Sequence, residues 1–179
     1  MIALPLRLFL IGYRGTGKTT VAQLLAQQLG WRWLDMDQVF ETEVGCSISE
    51  FFARKGETAF RERESSLLQR LADLENVVVA TGGGVVIAPA NRAILRKLGH
   101  VVWLKAEPDA IAARLAGDPR TSSQRPALTD LGVVAEVREV LAQRVPWYAE
   151  CAHQVVDTNC RSPEDVAKTI MNGLARVGA

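Results

Sequence analysis

Short apolar runs alternate along the chain with longer stretches in which apolar residues recur at about every 3.6 positions. The short runs are rich in β-branched and aromatic side chains and are bounded by glycine, proline or polar residues, which is typical of strands. They cover residues 7–11, 31–34, 77–80, 101–104 and 154–156. Strands that alternate with helices favour a parallel sheet covered on both faces. The pattern therefore predicts a three-layer α/β/α fold with a five-stranded parallel sheet.

The stretches between the predicted strands have the pattern of amphipathic helices. Two apolar faces carry this prediction, one made of Thr20, Leu24, Leu25 and Leu29 and the other of Phe60, Leu67, Leu68 and Leu71. Ser47 followed by Glu50 is a capping-box pattern, which marks the start of a helix. Ser162, Pro163 and the acids that follow them predict a last helix that ends near Arg176.

Length, composition and charge narrow the class of protein. The 179 residues are 48% hydrophobic and 23% charged, which is ordinary for a globular chain and fits a single domain over residues 1–179. The net charge is +1, so no overall field draws the protein to nucleic acid or to an anionic membrane. No apolar stretch is long enough to span a membrane, and no long apolar stripe is left for a partner subunit. We therefore expect a monomer that binds neither nucleic acid nor membrane.

Cysteine content and the N-terminal stretch bear on the compartment. The cysteines are Cys46, Cys151 and Cys160. They are odd in number, lie far apart and have no partner at metal-binding spacing, which favours reduced thiols. The apolar stretch 1–11 is interrupted by Pro5 and Arg7 and runs directly into the next motif, which argues against a signal peptide. We therefore expect a cytoplasmic protein.

Residues 12–19 read Gly-Tyr-Arg-Gly-Thr-Gly-Lys-Thr and match the phosphate-loop pattern GxxxxGK[ST]. The match lies between a predicted strand and a predicted helix, as the motif requires. Its glycines let consecutive backbone N–H groups face an oligophosphate, and the helix N-terminus adds its dipole. Lys18 would contact the β- and γ-phosphates, and the Thr19 hydroxyl would be a ligand of Mg²⁺. The motif therefore predicts ATP with Mg²⁺.

The acid that phosphate-loop proteins usually carry at the end of a central strand is missing, because the run 77–80 continues into Thr81 and three glycines. Asp35 and Asp37, at the end of the second predicted strand, are the best other source of a carboxylate. Residues i and i+2 of an extended chain face the same side. Asp35 could therefore hold Mg²⁺ while Asp37 accepts the proton of a substrate hydroxyl. A role for Asp37 as the cap of the following helix is an equal alternative.

Two further segments carry candidate ligand-binding groups. Residues 82–84 are all glycine and would let a ligand approach the backbone and its N–H groups, although a tight turn is the plainer alternative. Residues 117–130 are polar, rich in proline and serine and without apolar periodicity, which predicts a mobile lid. Of the two lid arginines, Arg120 and Arg125, the second is the better candidate to stabilise a transferring phosphoryl group. Solvated loop arginines are the alternative.

Two arginines outside the lid favour an acidic substrate. Arg61 precedes Glu64 by three residues in a predicted helix, so a surface ion pair is one interpretation. Arg144 lies just before Pro146, where the helix should kink or stop and could aim the arginine inward. A guanidinium binds a carboxylate through two hydrogen bonds. A carboxylated substrate would therefore call for one or two such residues.

Six motifs, taken in order, resemble the successive motifs of shikimate kinases: GYRGTGKT, LDMD, FRERE, TGGG, RPAL and the arginine before PWY. The resemblance spans most of the chain, over residues 12–163. It implies a fold of the nucleoside monophosphate kinase type, with a helical substrate-binding segment at residues 35–64 and a closing lid. It also implies transfer of the ATP γ-phosphoryl group to the 3-hydroxyl of shikimate, in the pathway to chorismate and aromatic amino acids.

The resemblance also implies a role for each candidate site residue. The catalytic residues would be Lys18, Asp37 and Arg125, and the ligands of Mg²⁺ would be Thr19 and Asp35. The ATP-binding residues would be Gly12, Gly15, Thr16, Gly17, Lys18, Thr19, Thr20, Arg120, Arg161 and Pro163, with Arg114 as an alternative to Arg120 near the adenine. The shikimate-binding residues would be Asp37, Arg61, Gly82, Gly83, Gly84 and Arg144, the glycines through their backbone amides.

Two other classes of protein share parts of this pattern. Another small-molecule kinase with a phosphate loop, such as gluconate kinase or a nucleotide kinase, would have the same architecture and phosphate chemistry. A GTPase-like switch would bind nucleotide without phosphorylating a metabolite. The sequence has neither the NKxD motif that reads guanine nor a DxxG after the third strand, so the switch is the less favoured of the two.

Overall fold

The five predicted strands form one parallel sheet in the computed structural model, which describes residues 7–117 and 132–177. The strands are β1 (Arg7–Ile11), β2 (Arg32–Asp35), β3 (Val77–Ala80), β4 (His100–Lys105) and β5 (Gln154–Asp157). Their spatial order is β2-β3-β1-β4-β5, and each neighbouring pair is parallel. The predicted fold class is confirmed, and the strand boundaries differ from the predicted ones by one residue at most.

Helices connect the strands within the described ranges. They are α1 (Lys18–Leu29), α2 (Met36–Val44), α3 (Ile48–Arg70), α4 (Pro89–Leu98), α5 (Pro108–Ala116), α6 (Val133–Cys151) and α7 (Pro163–Val177). The predicted capping box at the start of α3 is confirmed, because the side chains of Ser47 and Glu50 each accept a hydrogen bond from the other residue's backbone N–H. Apart from Gly117, the predicted lid lies outside the described residues. No helix that the structure describes is long and apolar enough to cross a membrane.

The sheet is covered on both faces because its strands are apolar on both sides. Leu8 and Leu10 of β1 pack in one cluster with residues of α1 and α7. Phe9 and Ile11, which point to the opposite face, pack in a second cluster with residues of α3, α4 and α6. This arrangement leaves the carboxyl ends of the strands, where the loops begin, as the open edge of the sheet.

The buried face of α1 is rotated from the predicted one. The buried residues are Lys18, Val21, Ala22, Leu25 and Ala26. Of the predicted face only Leu25 is buried, while Thr20 is exposed and Leu24 and Leu29 are half-buried. The rotation has a physical reason. The Lys18 side chain must face the phosphate loop, and Val21, Ala22 and Leu25 follow it at helical spacing, so they lie on the same face of α1. The second predicted face is buried as expected: Phe60, Leu67 and Leu68 lie in α3, and Leu71 directly follows it.

α6 continues through Pro146 to Cys151, so the predicted stop is wrong. A proline inside a helix cannot donate to the carbonyl four residues earlier. Here the helix is held on both sides of Pro146 by core packing, through Leu141 and Tyr148. The inward aim predicted for Arg144 is confirmed, because this residue is only 8% exposed.

Two histidines stack at the amino edge of the sheet, opposite the loops that follow the strands. The ring centroids of His100, at the start of β4, and His153, just before β5, are 5.3 Å apart. Nδ1 of His153 accepts a hydrogen bond of 3.1 Å from the N–H of Val101. Burial lowers the pKa of both histidines; the neighbouring His153 lowers that of His100 further, and Arg96 lowers that of His153. Folding therefore favours the neutral form of both imidazole rings.

Because both pKa values are lower in the folded chain than the ordinary value of about 6.5, the unfolded chain binds more protons below that pH. We therefore expect the melting temperature to fall as the pH decreases from 7.5 to 5.5, in a thermal melt followed by circular dichroism. In the variant His153→Asn, the amide oxygen can still accept from Val101 but does not titrate, and the pH dependence should be weaker. Equal slopes in the two proteins would contradict this assignment.

Candidate functional site

The register of the sheet brings three loops together at its carboxyl edge. In β2, Asp35 lies beside Ala80 of β3, and Ala80 in turn lies beside Leu10 of β1. Asp35 is the first of the two predicted acids. The glycine triplet follows Ala80, and the phosphate loop follows Leu10. In parallel sheets, ligands bind at the carboxyl edge of the strands. The structure therefore places three of the predicted elements of the site side by side.

The phosphate loop wraps around the side chain of its own lysine. Nζ of Lys18 donates to the carbonyl oxygens of Gly12 and Tyr13, at 2.8 and 2.9 Å, and Thr16 donates to Tyr13 at 2.8 Å. Gly12 must be glycine, because it has a φ of 140° and a Cβ there would overlap the carbonyl oxygen of Leu104. Within the part of the chain that the structure describes, no side chain caps the first turn of α1, so its N–H groups could bind an anion.

Thr19 and Asp35, the predicted ligands of Mg²⁺, are in direct contact. Oγ1 of Thr19 donates to Oδ2 of Asp35 at 2.6 Å. The other carboxylate oxygen, Oδ1, accepts from the N–H groups of Asp37 and Gln38, at 3.0 and 3.3 Å. Asp35 is therefore the N-cap of α2, and these hydrogen bonds fix the direction in which its carboxylate points.

The structure corrects the argument that placed Asp35 and Asp37 on one side of an extended segment. β2 ends at Asp35, and α2 begins at Met36, so Asp37 lies in the first helical turn. The alternative, in which Asp37 caps the helix, is wrong as well, because Asp35 is the cap. Asp37 is half-buried near the same edge of the sheet. Its predicted contact with a substrate hydroxyl remains a prediction.

Arg61 lies against the glycine triplet. A Cβ on Gly84 would overlap the guanidinium of Arg61. Nη1 of Arg61 forms an ion pair of 2.8 Å with Glu64, and Nη2 one of 3.3 Å with Glu57. The predicted pair with Glu64 thus exists, but it is not a surface pair, since Glu64 is only 4% exposed. The buried carboxylate orients the guanidinium beside the triplet.

The glycine triplet also touches the phosphate loop. A Cβ on Gly83 would come within 3.3 Å of the N of Arg14 and of the carbonyl oxygen of Gly12. None of the three glycines, 82–84, has a positive φ, so for Gly83 and Gly84 close approach rather than backbone conformation explains the absence of side chains. The turn considered from the sequence does form, because the N–H of Val85 donates to the carbonyl oxygen of Gly82 at 3.2 Å, but a turn by itself does not require this close approach.

Three site contacts were not predicted from the sequence. Arg14 forms an ion pair of 2.8 Å with Glu136 of α6, which is 3% exposed. The ring of Tyr13 is buried, lies 5.9 Å from the guanidinium of Arg144, and has its pKa raised by burial, with the charge of Arg14 opposing that shift. Oη of Tyr148 donates to the carbonyl oxygen of Gly83. The only signal for them was that Arg14 and Tyr13 belong to the phosphate loop, since their partners lie far along the chain.

Of the residues predicted to bind adenine, Arg114 is the one that the structure places in contact with the phosphate loop. Arg114 of α5 donates to the carbonyl oxygen of Gly15 at 3.4 Å, and to the hydroxyl and carbonyl oxygens of Thr158 at 3.1 and 2.6 Å. Arg161 is exposed and its nearest polar contact is Thr169, at 3.4 Å. Pro163 starts α7. The predicted lid arginines, Arg120 and Arg125, lie outside the described residues.

Comparison with known proteins gives a consistent result. The sequence profile of the shikimate kinase family matches residues 14–175. The shikimate kinase of Oleidesulfovibrio alaskensis is 46% identical over 172 residues, which are 96% of this chain and 99% of that protein. The solved structure of the shikimate kinase from Acinetobacter baumannii in complex with shikimate superposes with a TM-score of 0.90 at 34% identity, and the superposition covers 98% of this chain and 95% of that one.

A gluconokinase from Sinorhizobium meliloti is also similar in structure. Its TM-score is 0.59 at 18% identity, with 98% of this chain and 94% of that chain covered. At this identity the likeness extends to the fold alone.

The contact between Gly84 and Arg61 leads to a prediction about stability. In Gly84→Ala, the new methyl group must push the guanidinium of Arg61 aside and disrupt its 2.8 Å ion pair with the buried Glu64. We expect the free energy of unfolding in urea to fall by about 1–3 kcal/mol. Gly117→Ala is the matched control, because a Cβ there meets only ordinary contacts of 3.8 Å, and it should change the value by less than about 0.5 kcal/mol. A loss of equal size in both variants would contradict the assigned contact.

Proposed function

The chain belongs to the shikimate kinase family, and from this and the geometry of the site we infer that it transfers the γ-phosphoryl group of ATP to the 3-hydroxyl of shikimate. The products are shikimate 3-phosphate and ADP. The single observation that most supports this assignment is that the phosphate loop and the predicted acceptor side of the site are in contact. Gly83 lies against the backbone of the phosphate loop, and the next residue, Gly84, lies against Arg61. The phosphate donor and an acidic acceptor would therefore bind next to each other.

The phosphate loop would bind ATP through its backbone N–H groups and Lys18. The ammonium group already lies inside the loop, at hydrogen-bonding distance from two of its carbonyl oxygens. From there it would contact the β- and γ-phosphates and offset the charge that develops during transfer. Gly12, Gly15 and Gly17 all have positive φ, which gives the loop the curvature that directs N–H groups inward.

Thr19 and Asp35 fit Mg²⁺ as ligands. Both offer oxygen atoms, and Mg²⁺ in kinases is usually held by one or two protein groups together with the phosphates of the substrate. When bound, Mg²⁺ would supply positive charge that offsets the negative charge of the phosphate oxygens. Asp35 is held by the N–H groups of Asp37 and Gln38, so its carboxylate would meet the ion directly or through water without having to reorient.

Arg61 and Arg144 would bind the carboxylate of shikimate. Arg61 is oriented by Glu64, and Arg144 is buried against the ring of Tyr13. Among the described residues, no carboxylate forms a salt bridge with Arg144. A buried guanidinium is stabilised by an anionic partner, and the substrate's carboxylate would provide one.

Asp37 and the glycine triplet would position the acceptor hydroxyl. The hydroxyl oxygen attacks the γ-phosphorus, the bond from that phosphorus to the bridging oxygen of ADP breaks, and the hydroxyl proton passes to Asp37 or to water. The N–H groups of the triplet would hold the ring. Arg125 would contact the transferring phosphoryl group, and Arg114, which reaches the phosphate loop, is the better candidate of the two arginines proposed for the adenine.

The rival assignments have less support. A gluconate kinase would share the fold, and the similarity to the gluconokinase extends no further than that. A nucleotide switch would need no ion-paired arginine at the acceptor side. The family match covers residues 14–175 and favours the shikimate kinase over both.

A coupled assay of ADP release should decide the substrate. With ATP and Mg²⁺, we expect turnover with shikimate and at most trace turnover with gluconate or a nucleoside monophosphate. The reason is that two arginines and the glycine N–H groups match a ring that carries both hydroxyls and a carboxylate. Absence of turnover with shikimate would overturn the proposed function.

Replacing Asp37 with Asn tests its role as the acceptor's partner. We expect kcat to fall by about 100-fold or more, because the amide cannot accept the hydroxyl proton. ATP affinity, measured by calorimetry, should change by less than about twofold. Asp109→Asn is the control, since this carboxylate lies at the surface and pairs with Arg138. A normal kcat for Asp37→Asn would remove Asp37 from the mechanism.

A further inference from the structure

The segment that begins with the glycine triplet has a one-sided pattern of hydrogen bonds. Two of its carbonyl oxygens accept within the segment, that of Gly82 from the N–H of Val85 at 3.2 Å and that of Gly84 from the N–H of Ile87 at 3.0 Å. The carbonyl oxygens of the next three residues, 85–87, accept hydrogen bonds from side chains of α4. Asn91 donates to the carbonyl of Val85, and Arg92 to those of residues 86 and 87.

The remaining carbonyl, that of Gly83, is held from α6. The hydroxyl of Tyr148 donates to it at 2.5 Å, and both groups are buried. Every carbonyl oxygen from 82 to 87 therefore has a donor in the protein. By contrast, no hydrogen bond among the described residues uses the N–H of Gly82, Gly83 or Gly84. The segment is thus held by its carbonyl oxygens, and its glycine N–H groups remain for a ligand.

The position of the Tyr148 hydroxyl is set by the packing of its ring. The ring is fully buried and stacks on that of Trp103 in β4, with centroids 5.6 Å apart and an interplanar angle of 25°. A side chain that is packed on a central strand has little freedom to move. The hydroxyl therefore fixes the position of the Gly83 carbonyl relative to the sheet.

Holding this carbonyl also determines where the next N–H points. The described chain has no cis peptide bond, and in a trans peptide the C=O of one residue and the N–H of the next point in opposite directions. With the Gly83 carbonyl directed at α6, the N–H of Gly84 is directed away from it. Gly84 is also the residue that Arg61 touches.

We propose that Tyr148 is a positioning residue for the acceptor, which it serves by fixing the Gly83–Gly84 peptide so that the Gly84 N–H donates to shikimate. This rests on the proposed function. Tyr148 also lies one helical turn after Arg144 on α6. One helix therefore supplies a ligand of the carboxylate and the group that orients the triplet, and a shift of α6 would move both together.

Tyr148→Phe removes only the hydroxyl and tests the proposal. We expect the KM for shikimate to rise by about three- to tenfold, the factor that corresponds to one hydrogen bond. The KM for ATP should stay within about twofold, since the phosphate loop does not depend on this hydroxyl. Thr169→Val is the matched control, because it also removes one hydroxyl that donates to a backbone carbonyl, here that of Asp165 at 2.8 Å in α7. It should leave the KM for shikimate within about twofold.

Three results would overturn the positioning role: an unchanged KM for shikimate in Tyr148→Phe, an equal rise in the KM for ATP, or the same shift in Thr169→Val. A wild-type enzyme that does not turn over shikimate would instead overturn the proposed function, so the two failures are distinct.

If Tyr148→Phe does not fold, the proposal can be tested with nitrogen-15 NMR spectra of the wild type, recorded with and without shikimate. The amide resonance of Gly84 should shift and that of Gly30, at the far end of α1, should not. A Gly84 amide that does not respond would leave Tyr148 with nothing to position.

Discussion

The site depends on the contact between two stretches of bare backbone. Gly83 approaches the N of Arg14 and the carbonyl oxygen of Gly12 so closely that a Cβ there would lie only 3.3 Å from each, and the backbone would have to shift slightly to admit it. The parallel register of β1 and β3 starts both loops at the same level of the sheet. The absence of side chains then lets them meet. Under the proposed function, the distance between the phosphate donor and its acceptor would follow from this contact, because the phosphate loop would bind ATP and the glycine triplet would bind shikimate.

Around this contact, buried acids determine where the arginines lie. Glu64 and Glu136 are almost completely buried, and each forms an ion pair of 2.8 Å with an arginine at the site, Arg61 and Arg14 respectively. A buried carboxylate without a partner is costly, so each acid holds its arginine in one place. Arg144 differs, since the described residues give it an aromatic ring as its neighbour. The site therefore combines oriented positive charge with one buried guanidinium that a carboxylate ligand would stabilise.

Prediction from the sequence succeeded where the signal is local and failed where neighbouring elements decide. The strands were found within one residue because short β-branched runs specify them, and the capping box of α3 is a contact over three residues. The prediction that Asp35 and Asp37 face the same side of an extended segment was wrong. The N–H groups of Asp37 and Gln38 donate to the side chain of Asp35, and a helix starts there instead. Pro146 did not end α6, because core packing on both sides of it outweighs one missing hydrogen bond.

The sequence by itself determined the order of strands and helices, the phosphate loop and the family, because each is written in residues close together in the chain or in the order of such motifs. Only the tertiary structure decided which side chains meet across the site. Arg14 and Glu136 are 122 residues apart, and Tyr148 and Gly83 are 65 apart. Such pairs depend on strand register and on the rotation of each helix against the sheet. No local pattern encodes these quantities, so the donor that holds the glycine triplet could be identified only from the folded chain.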